Sequence, residues 1–77
     1  MRKIYEISYE IRKDWKKPYF GAVPYLEAMD SISSINENYY YDTAKDVVIY
    51  FLANATTWRG EVARRVKNEL KEMAGIR

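Results

Sequence analysis

The chain contains no cysteine and no histidine. That removes disulfide staples, thiolate nucleophiles, imidazole bases and every zinc site built from those residues. A long hydrophobic stretch is missing too. The longest unbroken apolar run is Val47 to Ala53, far short of the roughly 20 residues that cross a bilayer. The opening Met1-Arg2-Lys3-Ile4 carries no apolar core of a secretory signal. No internal repeat and no low-complexity tract interrupts the chain. The expectation from these absences is a soluble, cytoplasmic protein with no cofactor, no metal and no membrane contact.

What is present is 77 residues, enough for a single small domain over 1–77 and no second one. Apolar residues make up 48% of the chain and charged residues 31%, a balance too apolar for a disordered chain. A domain this small buries only somewhat more than about 60% of its unfolded surface. Its stability must come from packing, to which a second copy could contribute. Eight tyrosines, two tryptophans and two phenylalanines supply the area, since each ring buries roughly 150–250 Å².

Thirteen Lys and Arg against eleven Asp and Glu leave a net charge of +2, but the charges are unevenly placed. Residues 1–20 carry +3, residues 21–55 carry −4 and residues 56–77 carry +3. Basic ends could form one basic face if the first and last elements lie side by side. The simpler expectation is that the charges neutralise one another across the fold.

Lys3 to Lys13 alternates. Tyr5, Ile7, Tyr9 and Ile11 fall on one side, Glu6, Ser8, Glu10 and Arg12 on the other, and Ile4 is the one apolar residue among the polar ones. A period of two predicts a half-buried β-strand. Asp14-Trp15-Lys16-Lys17-Pro18 breaks it, and a strand after Pro18 could only sit at an edge. Tyr19 to Val23 is read as that short edge strand, closing a hairpin. Pro24 suits the start of a helix. Tyr25, Ala28, Met29 and Ile32 recur at helical spacing, so this helix is expected to end near Ser33. Ser34 to Tyr41 reads as a polar, tyrosine-rich connection.

Asp42 or Thr43 can cap the next helix, and Thr43 with Asp46 resembles a capping box. Ala44 to Thr56 is apolar in almost every direction except the arc of Asp46 and Ala53, which fits a buried central helix. Val47 to Leu52 also has strand propensity, so a strand is the alternative there. Thr57 is expected to cap a last helix from Trp58 to about Met73, with Trp58, Val62, Val66, Leu70 and Met73 on one face and Gly75 as its stop. The expected fold is α+β: an N-terminal β-strand or short hairpin followed by three helices packed on the Tyr5/Ile7/Tyr9/Ile11 face.

The stretches Ala22-Val-Pro-Tyr-Leu-Glu-Ala-Met29 and Tyr50-Phe-Leu-Ala-Asn-Ala-Thr-Thr-Trp-Arg-Gly-Glu-Val-Ala-Arg-Arg65 resemble small proteins of bacterial prophages and other mobile elements. The resemblance covers residues 20–72. It brings no catalytic motif, so it implies a setting and not a reaction.

Several residues are candidates for an interaction surface. Tyr39, Tyr40 and Tyr41 are consecutive and cannot all enter a core, although two of them could cover helix ends. Outside that triplet, Trp15 and Tyr19 are the aromatic residues in or beside expected loops. Exposed aromatics suit protein interfaces, and with arginines nearby they suit base stacking. Arg64, Lys67 and Lys71 recur at i, i+3 and i+7 on the last helix, an edge that could follow phosphates, although Glu61, Asn68 and Glu72 give it the look of an ordinary solvated face. Arg59 lies near the apolar face and is expected to pair with Asp42 or Asp46 rather than hold an anion. The carboxylate pairs Glu27/Asp30 and Asp42/Asp46 read as caps and solvated positions, so no catalytic residue is expected.

A lone strand, or one with a short partner, needs company at its edge. The leading expectation is therefore a non-enzymatic interaction protein that binds a protein partner or itself, as a homodimer through the sheet edge. The alternative is a nucleic-acid binder using Arg2, Arg12, Lys16, Lys17, Arg64, Lys67 and Lys71.

Overall fold

The structure is a computed structural model that describes residues 2–76; Arg77, counted in the basic C-terminal segment, lies outside the described residues. Four α-helices make up most of it: α1 (Ile4–Asp14), α2 (Val23–Met29), α3 (Ala44–Ala53) and α4 (Glu61–Ala74). A 3₁₀ turn at Phe20–Ala22 leads into α2. The one sheet among the described residues pairs β1 (Asn38–Tyr39) with β2 (Asp42–Thr43), antiparallel, with Tyr40 and Tyr41 as the connecting residues. The expected α+β fold with an N-terminal strand is therefore corrected to a four-helix domain with a two-residue-long hairpin in the middle.

The N-terminal segment is a helix because it carries a second period. Ile4, Ile7, Ser8 and Ile11 are its buried residues, and Trp15 continues the row. That spacing of three, one, three and four is a single helical face. The alternating set dissolves: Tyr5 is only partly buried and Tyr9 is exposed, their rings 6.0 Å apart along the helix. Ile4, the apparent exception on a wet strand face, is wholly buried. The Glu6 carboxylate accepts from the Lys3 amide at 2.9 Å. The amides of Ile4 and Tyr5 donate to the carbonyls of Ser33 and Ile32, so the segment after α2 satisfies two of the free amides of the first turn. Arg12 and Lys13 in the last turn suit the negative end of the helix dipole.

The expected edge strand at Tyr19–Val23 is also corrected: it is the 3₁₀ turn and the first residue of α2. Helix α2 starts one residue before Pro24 and ends at Met29, short of Ser33, the chain continuing in turns through Ile32. Residues 47–52 are helical, and Thr43 is the cap, its hydroxyl accepting from the Asp46 amide at 3.0 Å. Helix α4 begins three residues later than expected. Gly60, at φ 117°, precedes it, so Thr57 is not the cap and Trp58 belongs to the preceding loop. Gly75, at φ 73°, ends α4 in the left-handed conformation.

Helix α2 packs on α1 and α3, and α4 packs on α1 and α3. Between them lie Ile7, Ile11, Leu26, Met29, Val48, Phe51, Val66 and Leu70, all fully buried. Trp58 returns from its loop into this core. Its ring stacks on Trp15 at 5.8 Å and 10°, Phe51 meets both rings edge-on, and its indole N–H donates to Asp14 at 2.8 Å. No helix among the described residues is long and apolar enough to cross a membrane.

Candidate interaction surfaces

The charges of the first and last helices meet along a seam. Arg2 donates to Glu69 at 2.6 Å and to Glu10 at 2.7 Å, and Arg65 pairs with the other oxygen of Glu10. Arg12 pairs with Asp30 at 2.8 Å, whose carboxylate also accepts from the buried Ser8 hydroxyl at 2.6 Å. The hydrogen bond from Arg65 holds the Glu10 carboxyl below the ordinary glutamate range against partial desolvation, and Arg2 adds to it. Helices α1 and α4 do lie side by side, but Arg2 and Arg65 are occupied there, and Arg12 is held by Asp30 at the end of α2.

Lys3, Lys13, Lys16, Lys17 and Lys45 are exposed and scattered without an ion pair among the described residues, and a further four bases gather on one flank of α4. Arg59, Arg64 and Lys71 are exposed and Lys67 is half-buried. None of the four pairs with a carboxylate among the described residues. The expected partner of Arg59 is corrected: it makes no ion pair with Asp42 or Asp46, which stand before α3 and in its first turn while Arg59 follows its end. The Lys67 ammonium donates to the Trp58 carbonyl at 2.6 Å and lies 5.8 Å from the centre of that ring. Burial first, and then the like charges of Lys71 and Arg59, push its pKa below the ordinary lysine value. Trp58, Arg59, Gly60, Ala63, Arg64 and Lys67 line a shallow depression of about 310 Å³.

The aromatic candidates separate. Trp15 is buried in the stack with Trp58, so it is a core residue and not a surface one. Tyr39 packs partly on the core. Tyr40, at φ 55°, and Tyr41 stand out at the hairpin tip with 85% and 105% exposure.

Tyr19, the other loop candidate, is exposed and belongs to a second aromatic surface whose remaining members, Phe20, Tyr25 and Tyr50, the sequence did not mark. Phe20 is 79% exposed, Tyr19 46% and Tyr50 44%. The rings of Tyr19 and Phe20 are 4.7 Å apart, and those of Tyr25 and Tyr50 5.6 Å. Gly21 and Asn54 join the two pairs. A Cβ on Gly21 would stand 2.6 Å from the Tyr19 ring and 2.8 Å from the Asn54 side-chain oxygen, so only glycine lets ring and amide close over the backbone there. The Asn54 amide in turn donates to the Tyr50 carbonyl at 2.8 Å. The Tyr19–Phe20 pair at the start of the 3₁₀ turn and the Tyr25–Tyr50 pair of α2 and α3 are thus linked through Gly21 and Asn54. The sequence signal was Phe20 beside Gly21, hidden by the edge-strand reading.

Glu27, Asp42 and Asp46 line neither the depression beside Trp58 nor those at the C-terminal end of α4, at Glu61–Arg65 and between Arg2 and Met73. No cluster of metal-ligating side chains occurs among the described residues. Comparison with protein-family models, with curated proteins and with solved structures gives no match, so the surfaces themselves carry the functional argument.

Proposed function

We propose that this chain is a non-enzymatic interaction protein that docks a protein partner through the face formed by Tyr19, Phe20, Tyr25 and Tyr50, in the cytoplasm of a bacterium carrying a prophage or other mobile element. The supporting observation is that Phe20 stays exposed while the residues around it are fixed: Tyr19 against its ring, Gly21 beneath Tyr19, Asn54 bonded to the α3 backbone. Rigid, amphipathic rings give a large contact at low entropy cost and are the commonest anchors of protein interfaces. The setting rests on the resemblance of residues 20–72 to prophage proteins. The homodimer through a sheet edge is not carried forward, because residues 3–13 offer no strand edge.

Purification of the tagged chain from its host, beside the Phe20→Ser/Tyr50→Ser double variant, tests the reading. One stoichiometric partner on the wild type, lost from a double variant of unchanged helical content, is the expected result. A partner kept equally by both proteins, or none on either, counts against it.

A further inference from the structure

Helix α4 separates its charges by side. At about 100° per residue, Lys67, Lys71 and Arg64 fall within an arc of about 60° on one flank of the buried row Ala63, Val66, Leu70 and Ala74. Glu61, Glu69 and Glu72 fall beyond that arc, toward the other flank, where Glu69 and Arg65 face α1. Arg59 joins the basic flank from the loop, as the shared depression with Arg64 and Lys67 requires. The charges that act on Lys67 are those of Lys71 and Arg59, both of its own sign. Glu61 borders the basic flank beside Arg64 and Glu72 beside Lys71, but neither makes an ion pair with it among the described residues, so the four cations make a local positive potential on a chain whose net charge is only +2.

We propose that Arg59, Arg64, Lys67 and Lys71 form a ridge that binds the phosphodiester backbone of a nucleic acid without reading its sequence. Charge complementarity selects the occupant: a row of cations spaced along about 10 Å of helix, from Arg64 to Lys71, matches a polymer of regularly spaced anions. Sequence independence follows from Trp58. Its ring lies beside the ridge but is buried against Trp15, so no base can stack on it and the contacts stay with phosphates. The site is separate from the aromatic face, and either can fail without the other. Arg2 and Arg12 have no part in it, since both are engaged by carboxylates.

Fluorescence anisotropy with labelled duplex DNA, single-stranded DNA and RNA of arbitrary sequence tests the ridge. Four phosphate contacts predict a plot of log affinity against log salt with a slope near −3.6 on duplex, about a 100-fold weakening between 50 and 200 mM salt. Arg64→Gln/Lys71→Gln should halve that slope and weaken binding at the lower salt by at least 10-fold. Lys45→Gln, which removes an exposed charge on α3, should change little. The proposal is overturned by no binding at low salt, by salt-independent binding, or by a double variant no weaker than Lys45→Gln. Equal binding to poly-glutamate or to vesicles of anionic phospholipid also overturns it, since the ridge would then be a general anion surface.

Discussion

Trp58 leaves the chain in a loop and comes back into the core, where Trp15, Phe51 and Asp14 hold it. Phe20 is of similar size and points outward. The two should behave oppositely on truncation. Trp58→Ala is expected to cost about 3–5 kcal/mol, enough to threaten folding of so small a domain, whereas Phe20→Ala should stay within about 0.5 kcal/mol of the wild type. Urea unfolding checks both, and a large loss at Phe20 would make that ring part of the core. The glycines differ in the same residue-level way. Gly60 lies at φ 117°, ψ −177°, a region closed to other residues, and Gly75 at φ 73°, ψ 26°, which they visit at a cost. Gly60→Ala should therefore destabilise by about 1–3 kcal/mol and more than Gly75→Ala in the same assay. Gly75 was legible from its place after an apolar periodic row. Gly60 was not, because Trp58 looked like the first residue of that row.

At the scale of elements, α1 shows why one sequence can be read two ways. Tyr5, Ile7, Tyr9 and Ile11 satisfy a period of two, while Ile4, Ile7, Ser8, Ile11 and Trp15 satisfy a helix, and Ile7 and Ile11 serve both. The deciding residues were Ile4, buried where a strand would wet it, and Ser8, a polar residue whose single hydroxyl proton lies between the Tyr5 carbonyl and the nearer Asp30 carboxylate. Neither partner is visible before the chain folds. Helix α3 and the end of α4 were legible because their caps and apolar rows agree with one another. The α1–α4 seam yields a pH prediction. Glu10 titrates lower in the folded chain than in the unfolded one, chiefly because Arg65 bonds to its carboxylate. Its contribution is complete above the unfolded value near 4.5 and is lost as the pH falls through the lower folded value. Glu10→Gln should lower stability at pH 7 by up to about 1 kcal/mol, as for a partly exposed pair. The gap to the wild type should close as the pH falls below 4.5 through the lower folded value, and narrow in high salt. Denaturant midpoints across pH 3–7 measure it, and a gap unchanged by acid would contradict the seam.

Across the whole molecule, the surfaces of interest are made by residues far apart in the chain. Arg2 meets Glu69 across 67 positions, which removes Arg2 from the basic face that residues 1–20 suggested. Residues 19–25 meet residues 50–54 to make the aromatic face, a juxtaposition that no periodicity records. The basic edge of α4 was legible as a spacing of i, i+3 and i+7, but that Arg59 joins it from the loop while Arg65 turns to Glu10 depends on the fold. With a sheet of two-residue strands among the described residues, no long edge is offered for pairing between copies, so the proposed docking relies on side chains.

The most direct test of that idea places photoreactive benzoyl-phenylalanine at position 20, with position 45 as the exposed control, in the chain expressed in its host. Irradiation should give one discrete protein adduct from position 20 and none from position 45. Equal labelling from both positions, or no adduct from position 20, would contradict the assignment of Phe20 and its neighbours as a docking face.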